Sequence, residues 1–379
     1  MDYKNHFEQI VKTQQARVQR LKNDTGAVDY QKLDKIIIGV IGGDGIGPAI
    51  TAHAQRVLET LLADDVAQGK VEFRTIEGLT IENRSACGQA IPDDVLEEIK
   101  ACNVLLKGPT TTPRKGDKWG NIESANVAMR KALDLFANVR PVRIPEQGID
   151  WTFFRENTEG EYAVGSRGIE IPGKLSIDFK VITEPGTRRI AKAAYDYAVA
   201  NGKTNIEVVT KANIMKKTDG NFSRICHEVA SEYPGLVLED WYIDIMTAKL
   251  LDKTRRSDFQ VFVLPNLYGD IITDEAAEIQ GGVGTAGSAN IGDQYAMFEA
   301  IHGSAIRMIE DGRGAYANPA SLIKAAAMML NHIGFPEKAK AIENALDICV
   351  EKEKAVVITG HEDGATGAEF TDYLLSKLG

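Results

Sequence analysis

Apolar runs short enough for buried strands alternate along the chain with segments of helical spacing. The run KIIIGVI predicts a buried strand over residues 36–41, and after a glycine turn Pro48 opens a helix at a position that needs no backbone donor. VEFRTIEG and NVLLKGPTTTP predict two further strands, and PDDVLEEIK between them has the spacing of a helix. Strands and helices are therefore predicted in alternation.

The first 23 residues are mostly polar, and their apolar residues recur at helical spacing: Phe7, Ile10, Val11, Val18 and Leu21. This pattern predicts an amphipathic helix that packs on the body of the protein or on a partner. The segment has no hydrophobic signal core, and the acids Asp2 and Glu8 are not typical of a transit peptide.

The glycine turn after the first strand holds Gly43, Gly45 and Gly47. Their spacing is GxGxG rather than the GxGxxG of dinucleotide-binding folds, and LLADDVAQGK further on is helix-like rather than a second strand ending in an acid. A tight turn that brings a helix close to the sheet is therefore favoured over a dinucleotide fingerprint.

The stretch 266–303 concentrates acids, glycines and a histidine, and it is predicted to be the chemical centre. It follows QVFVLPN, a predicted buried strand, and DIITDEAAEI predicts a helix with Asp270 and Asp274 on one face. These like charges repel unless a cation or a basic group lies between them, and a divalent metal would meet that need. The alternative is an acidic first turn that complements the helix dipole.

Arginines stand near hydroxyl and amide groups elsewhere in the chain. Ser124, Asn126 and Arg130 lie close together on a predicted helix, and Arg140 and Arg155 follow at the edges of apolar segments. Guanidinium groups bind carboxylates in bidentate pairs, so the three arginines predict a clamp for a substrate with several carboxylates.

The predicted strand NVLLK ends in a hydroxyl-rich loop with one amine, from Lys107 to Thr112. Such a loop at the carboxyl end of a strand suits a polar ligand. A solvated loop is an equally good interpretation.

Hydrophobic content, net charge and cysteine spacing limit the kinds of protein that this chain can be. A chain of 379 residues with 44% hydrophobic content can bury a large core and usually forms two domains. The net charge of −10 disfavours general nucleic-acid binding, and the lack of any apolar run near eighteen residues disfavours a membrane span. The four cysteines form no CxxC pair, which predicts reduced, buried thiols in a cytoplasm-like compartment.

The motifs SANVAMR, ANVRP, FFRENTEGEY, KANIMKKTDG, NLYGDIITD and HGS occur in this order, and together they resemble the decarboxylating isocitrate and isopropylmalate dehydrogenases over residues 35–375. The resemblance implies an α/β fold in which both chain termini build a large domain and a smaller middle domain carries a dimer clasp. The implied boundaries are an N-terminal helical extension at 1–30, a large cofactor-side domain at 31–135 and 281–379, and a small domain at 136–280 with its clasp near 160–184.

The resemblance also implies a reaction, the metal-dependent oxidation of a 2-hydroxy acid by hydride transfer to a nicotinamide, followed by loss of CO2. The matching positions are Tyr162 and Lys211 for catalysis; Lys107, Thr111, Ser124, Asn126, Arg130, Arg140 and Arg155 for the substrate; Asn213, His302, Gly303, Arg307 and Asn318 for the cofactor; and Asp244, Asp270 and Asp274 for Mg2+ or Mn2+. A tyrosine can deliver a proton and a nearby lysine can relay it. Lys211 and Asp244 enter the other subunit's site by the same resemblance, which implies a homodimer with shared active sites.

The substrate within this family is predicted from Ser124 and Asn126, which resemble isocitrate enzymes. A hydroxyl and an amide fit a third carboxylate, whereas isopropylmalate enzymes must hold an alkyl group at this helix. A tricarboxylate, isocitrate, is therefore predicted, with 3-isopropylmalate, homoisocitrate and tartrate as alternatives. A cytoplasmic enzyme of the tricarboxylic acid cycle is implied. The alternative of a different class is a non-catalytic regulatory subunit, which the retained catalytic motifs disfavour.

The choice of nicotinamide cofactor is predicted from Arg307. Family members that use NAD usually have an acid here, whereas an arginine can bind the 2′-phosphate of NADP and offers a ribose hydroxyl no acceptor. Lys253 falls near where NADP-using relatives bring a basic residue from the partner chain. NADP is therefore favoured over NAD, although Glu310 or Asp311 could replace the missing acid and Gly360 stands where some NADP enzymes have a tyrosine.

Overall fold

Each half of the structure is assembled from two separate stretches of sequence. The computed structural model describes residues 2–22, 26–114, 116–282, 284 and 286–378. Unit 1 comprises Met1–Gly26 and Phe136–Gln280, and unit 2 comprises Ala27–Leu135 and Gly281–Gly379. The N-terminal segment therefore groups with the middle of the chain.

The strands, in chain order, are β1 (Ile36–Ile41), β2 (Val71–Thr75), β3 (Val104–Lys107), β4 (Ala137–Ile144), β5 (Ile149–Glu156), β6 (Ile169–Ile171), β7 (Leu175–Ile177), β8 (Asn205–Thr210), β9 (Val237–Tyr242), β10 (Val261–Leu264), β11 (Gly287–Ile291) and β12 (Ala296–Ala300). The helices are α1 (Tyr3–Leu21), α2 (Gly47–Leu61), α3 (Ala63–Ala67), α4 (Ile81–Cys87), α5 (Asp93–Lys100), α6 (Ala125–Ala132), α7 (Glu184–Ala200), α8 (Thr218–Ala230), α9 (Ile243–Leu251), α10 (Asn266–Gln280), α11 (Ile306–Glu310), α12 (Ala320–His332), α13 (Pro336–Leu346) and α14 (Gly367–Leu375). Shorter helical turns occur at Tyr30–Lys32, Pro145–Gln147 and Gly314–Tyr316, and a π-helical segment at Asp347–Glu353.

The sheet of unit 2 has the strand order β2-β1-β3-β12-β11, and its neighbours are parallel except for β11 and β12. Five of the six residues of β1 are buried and Ile37 is partly buried, as predicted for a parallel strand. Gly39 lets neighbouring side chains approach this strand, since a Cβ there would lie 2.7 Å from Leu105 and 2.9 Å from Cys102. The three strands and the two helices predicted from residue 36 to residue 107 are confirmed.

The sheet of unit 1 has the order β4-β5-β10-β8-β9, and only the pair β4 and β5 is antiparallel. Its core is aromatic. The rings of Phe153 and Phe262 stack with centroids 4.3 Å apart, and Trp151 meets Phe262 edge-on at 6.0 Å. The predicted strand after Gln260 is β10, which is wholly buried.

Helix α1 forms as predicted and packs on the rest of unit 1, where it contacts α7. Asp2 caps it by accepting from the backbone N–H groups of Lys4 and Asn5, and Ile10 is buried. The ring of Phe7 lies 5.8 Å from that of Phe179, which belongs to the segment proposed as the dimer clasp. That segment also holds the antiparallel hairpin of β6 and β7.

The glycine turn after β1 allows the backbone at Pro109 and at Ser304 to approach it closely. Gly43 and Gly45 have φ of +73° and +59°, and a Cβ on either would collide with the carbonyl oxygen of Pro109 or Ser304. The turn holds these two loops at the carboxyl end of β1, so the interpretation as a tight turn agrees with the structure.

All four cysteines carry free thiols. Cys102, Cys226 and Cys349 are buried, but Cys87 is exposed at the end of α4, so the expectation of buried thiols is wrong at that position. None of the helices in the described part of the chain is both long and apolar enough to cross a membrane.

Candidate active site

Arg155, Tyr162 and Asp270 form a polar cluster in unit 1. The Arg155 side chain, near the end of β5, is 1% exposed and donates from Nε and Nη2 to Asn266 Oδ1 at 2.9 and 2.7 Å, and from Nη1 to Asp270. The Tyr162 hydroxyl donates to Asp270 Oδ2 at 2.7 Å, and the Tyr162 ring centroid lies 5.4 Å from the guanidinium carbon of Arg155. The phenol is therefore oriented by a carboxylate that an arginine holds in turn.

The close packing of α10 on β5 depends on Gly269. A Cβ on this residue would lie 2.6 Å and 2.7 Å from Cγ and Cβ of Arg155. Glycine costs a helix interior about 1 kcal/mol relative to alanine. Its presence here is explained by the approach of the arginine stem.

The second acid of α10, Asp274, pairs with Arg140 of β4. Arg140 Nη1 donates to Thr273 Oγ1 at 2.6 Å and to Asp274 Oδ1 at 3.2 Å. Asp270 and Asp274 share one helix face, as predicted. Because α10 begins at Asn266, however, they lie in its second and third turns, so the alternative of an acidic first turn is wrong.

Lys211 follows β8 and pairs with Asp244 at the start of α9. Lys211 Nζ lies 2.5 Å from Asp244 Oδ1, and this hydrogen bond lowers the pKa of Asp244. The backbone N–H of Lys211 donates to the buried Asp219 at 2.8 Å, and Asp219 pairs with Lys180 at 2.6 Å. Asn213 is exposed in the turn that follows. The two residues predicted to serve a second subunit thus lie together.

Asp270 and Asp274 offer partly exposed oxygens to a divalent cation. Their side chains are 39% and 64% exposed, and carboxylates are the ligands that Mg2+ and Mn2+ prefer. The donor chemistry of these two carboxylates therefore fits the predicted ion. Across the described ranges, no group of three or more His, Cys, Asp or Glu side chains is placed to hold a metal ion.

Lys107 is placed differently from its prediction. It is the last residue of β3 and wholly buried, and its Nζ donates to Gly108 O at 2.9 Å and to Glu299 Oε2 at 3.2 Å. Arg130 Nη2 donates to the other oxygen of Glu299 at 3.3 Å. Burial acts to raise the pKa of Glu299, but the charges of Lys107 and Arg130 and a hydrogen bond from Asn290 outweigh it and lower that pKa to about 2. The ammonium of Lys107 thus holds Glu299 inside unit 2, and its contact with a substrate stays a prediction.

Ser124 precedes α6 rather than lying on it. Its hydroxyl accepts from the backbone N–H of Val127 at 3.5 Å and caps the helix. Asn126, the second helical residue, accepts from Thr110 Oγ1 at 3.1 Å. The predicted grouping of polar side chains is thus present at the start of the helix.

Thr111 is fixed by three neighbours in unit 2. Its backbone N–H donates to Asp44 at 2.7 Å, and its hydroxyl lies 2.8 Å from Ser304 Oγ. Arg84, which is 0% exposed, donates to the carbonyl oxygens of Thr111 at 2.8 Å and Glu123 at 3.0 Å. One buried arginine therefore joins the Thr111 loop to the residue before Ser124.

The predicted cofactor-binding segment begins at His302 and Gly303. Burial lowers the pKa of His302, although its hydrogen bond to the Gly303 carbonyl opposes this, so the ring is neutral at pH 7. Asn318 ends the segment and accepts from the backbone N–H of Ala320 at 2.9 Å as α12 begins.

Arg307 lies on α11 and is exposed. Arg313, shortly after the helix, donates to Asp311 at 2.8 Å and to the carbonyl oxygen of Gly360 at 2.9 Å. A Cβ on Gly360 would lie 3.9 Å from the Met308 methyl group. Asp311 and Gly360, two of the positions compared in the sequence for cofactor choice, are therefore joined through Arg313.

Glu299, Asn266 and Arg84 belong to the polar clusters of the two units but were not predicted from the sequence. A lone acid within the apolar run AMFEA signals a buried charge that needs a partner, so Glu299 was open to prediction. Neither Asn266 nor Arg84 carries a comparable signal, because their partners are distant in sequence.

Comparison with known proteins shows what the chain resembles. The family model described as isocitrate/isopropylmalate dehydrogenase matches residues 37–374. A protein of Rickettsia prowazekii (strain Madrid E), named as an NADP isocitrate dehydrogenase, is 40% identical over 323 residues, which are 83% of this chain and 63% of that protein. This chain thus spans less than two thirds of that relative's length.

This chain also matches two proteins over nearly their whole length. A protein of Dictyostelium discoideum, named as a regulatory component of a mitochondrial NAD isocitrate dehydrogenase, is 36% identical over 355 residues, which are 92% of each chain. The crystal structure of an isocitrate dehydrogenase from Methylococcus capsulatus matches with a TM-score of 0.78 and 33% identity, over 90% of this chain and 99% of that one.

Proposed function

Because this chain belongs to the isocitrate/isopropylmalate dehydrogenase family, we propose that it oxidises and decarboxylates isocitrate to 2-oxoglutarate and CO2, with a nicotinamide dinucleotide as hydride acceptor. The observation that carries this proposal is the cluster in which the Tyr162 hydroxyl donates to Asp270 beside Arg155. The names of the relatives support the same substrate.

Tyr162 is the proposed proton donor. The carbon that loses CO2 must gain a proton, and a positioned phenol is a suitable general acid. Its hydrogen bond to Asp270 fixes the direction of the O–H group, and the nearby Arg155 supplies positive charge for the oxygen once the proton has left. This chain's own residues thus hold and release the proton at one phenolic oxygen.

Three arginines are proposed to bind the substrate carboxylates, Arg140 and Arg155 from unit 1 and Arg130 from unit 2. Each guanidinium is oriented by an acid of its own unit: Asp274, Asp270 and Glu299, respectively. An oriented guanidinium loses less side-chain entropy when it pairs with a carboxylate. Guanidinium groups oriented in this way suit a substrate with several carboxylates.

Isocitrate is proposed over 3-isopropylmalate because the start of α6 is polar. Ser124 caps the helix and Asn126 lies one residue inside it, both half-buried. An alkyl group placed there would leave these polar groups without hydrogen-bond partners, which costs binding free energy. Homoisocitrate and tartrate are the remaining alternatives.

The proposed metal ligands are Asp270 and Asp274, joined by Asp244 from a second copy of the chain. When bound, Mg2+ or Mn2+ supplies Lewis-acid polarisation of the substrate hydroxyl and its neighbouring carboxylate. Asp270 and Asp274 are four residues apart on α10, so their carboxylates serve one side of the helix.

A homodimer with shared active sites is proposed from Lys211 and Asp244. The two side chains are bonded to each other at 2.5 Å, so they would reach the second copy's site as one group. A small middle domain that carries the clasp near 160–184 remains the proposed route by which the copies join.

NADP is proposed as the preferred cofactor, with NAD as the alternative. Arg307 is exposed and can bind a 2′-phosphate. Of the two acids that could accept from ribose hydroxyls instead, Asp311 is already bonded to Arg313. Glu310 is exposed and is the competing acceptor.

A regulatory role without catalysis is the second candidate function, favoured by the name of the Dictyostelium relative. The Tyr162–Asp270 and Lys211–Asp244 pairs oppose it, because a non-catalytic chain does not need them.

The cytoplasm is proposed as the compartment, since the cysteines are free thiols.

The deciding experiment is a matrix of isocitrate, homoisocitrate, 3-isopropylmalate and tartrate against NADP and NAD, with Mg2+, Mn2+ or a chelator, followed by the absorbance of the reduced nicotinamide. Turnover is expected with isocitrate and a divalent ion. Tyr162→Phe should abolish most of it, whereas Tyr233→Phe, a surface change, should not. Absence of turnover across the whole matrix would support the regulatory alternative.

A further inference from the structure

The N-terminal helix α1 lies ahead of residue 37, where the family match begins, yet it reaches a buried acid of unit 1. Arg17 donates from Nη1 to Glu159 and from Nη2 to Thr158 Oγ1 at 2.7 Å. The Arg17 side chain is 14% exposed and that of Glu159 is 1% exposed. A charged pair this well covered requires a fixed arrangement, because either group alone would be a buried, uncompensated charge.

Glu159 is also held from its other side. One of its oxygens accepts from the backbone N–H of Thr183 at 2.8 Å, and the other from the Thr183 hydroxyl, where α7 begins. Gly186, in the first turn of α7, leaves space for the carboxylate, because a Cβ there would overlap it. Glu159 thus joins α1 to the N-terminal end of α7.

The backbone of Glu159 continues this connection to the proposed active site. Its carbonyl oxygen accepts from Asn266 Nδ2 at 3.1 Å, and Asn266 Oδ1 accepts from Arg155. Tyr162 follows Glu159 by three residues and donates to Asp270. All these contacts lie within unit 1, so the loop 157–162 is held by α1 on one side and by the start of α10 on the other.

We propose that α1 is a positioning element of the active site. Arg17 acts through Glu159 and fixes the positions of the loop that carries Tyr162 and of Asn266, which binds Arg155. Arg17 is a positioning residue, since it contacts neither substrate nor cofactor. The measurement of kcat rests on the proposed function. The measurement of amide hydrogen exchange depends only on the contacts described above.

The test uses four variants of the full chain. Arg17→Met removes both hydrogen bonds, and Arg17→Lys keeps the charge but lacks the planar guanidinium fork that spans both partners. Arg17→Met/Glu159→Gln removes the buried carboxylate as well, so it restores stability that Arg17→Met alone would lose. Arg20→Met, an exposed arginine of the same helix, is the matched control.

We expect kcat for isocitrate to fall about tenfold or more in Arg17→Met and in the double variant, because a small misplacement of a catalytic group costs rate. Arg17→Lys should be intermediate, and Arg20→Met should match the wild type. A double variant with wild-type melting temperature and wild-type kcat would overturn the proposal and leave Arg17 a purely structural residue.

Amide hydrogen exchange separates this inference from the proposed function. Peptides covering 157–162 and 266–270 should exchange faster in Arg17→Met than in Arg20→Met, with no ligand added. If the wild type fails to consume isocitrate, the proposed function is wrong and exchange alone decides. Equal exchange in the two variants would then overturn the positioning role.

Discussion

Burial decides the protonation of single residues in this protein, and Glu207 on β8 shows the effect. It is 3% exposed, and burial raises its pKa to about 8, with the backbone N–H of Gln260 opposing the change and Glu239 on β9 adding to it. A glutamate in the unfolded chain titrates near 4.5. Between these values the folded protein holds a proton that the unfolded chain has lost, so stability falls as pH rises through this window.

Glu207→Gln should remove this pH dependence, because an amide does not ionise. The variant's free energy of unfolding, minus that of the wild type, should rise by about 1.4 kcal/mol per pH unit within the window and by a few kcal/mol in all. Urea titrations at pH 5 and pH 9 measure it, with Glu343→Gln on the exposed face of α13 as control. A constant difference at both pH values would contradict the prediction.

Arg307 is the residue on which the choice of cofactor is predicted to depend. Arg307→Asp should shift the ratio of specificity constants toward NAD by about tenfold or more, equivalent to roughly 1.4 kcal/mol, because a carboxylate repels the 2′-phosphate and accepts from ribose hydroxyls. Steady-state kinetics with both cofactors measure the shift, and Lys340→Asp on the exposed face of α13 controls for charge alone. A wild type that already prefers NAD, with a ratio that Arg307→Asp leaves unchanged, would show that the choice is made elsewhere.

Secondary-structure elements were predictable where the signal is local. The buried strands β1 and β10 follow from uninterrupted apolar runs, and α1 follows from its spacing. Helix α10 begins at Asn266, four residues before the predicted DIITDEAAEI, and the preceding Pro265 is the local signal for that earlier start.

The site was predictable only where both partners stand in one motif. Asp270 and Asp274 come from a single helix, so their common face follows from the sequence. The burial of Lys107 could not be predicted, because its partner Glu299 lies 192 residues away and only tertiary structure brings the two strands together. The capping position of Ser124 likewise depends on a helix boundary, which periodicity locates to within a few residues.

The contact of α10 with β5 is predicted to fail if Gly269 gains a side chain. Gly269→Ala should displace Arg155 and reduce kcat for isocitrate. It should also lower the free energy of unfolding by about 1–3 kcal/mol, which is measured as a lower melting temperature. Gly220→Ala on α8 is the control, since a Cβ there meets nothing within 4 Å and should leave stability equal or up to about 1 kcal/mol higher. Equal behaviour of the two variants would show that Arg155 tolerates the added methyl group.

At the scale of the whole molecule, the proposal of shared sites predicts complementation. Lys211→Met and Tyr162→Phe are each expected to be nearly inactive as homodimers, because every site carries a lesion. After the two are mixed and refolded together at equal concentration, about half of the dimers are mixed and one of their two sites is intact, so about a quarter of wild-type activity should return. Native mass spectrometry checks that mixed dimers form. If they form without recovered activity, both residues serve one site from one chain.

The division of the chain also has a consequence while the protein is being made. Apart from α1, unit 1 consists of the uninterrupted stretch Phe136–Gln280, whereas unit 2 needs sequence from both sides of that stretch. In unit 2, β3 pairs with β12 from Val104 and Ala296 onward, so the first part of this unit leaves the ribosome long before its partner strand exists. Domains fold as units during synthesis, so the middle of the chain becomes foldable before either flank. A chaperone that binds nascent chains is therefore expected to remain bound longest to residues 27–135. The apolar strand β3 in this segment cannot pair with β12 until the C-terminal third of the protein has been synthesised.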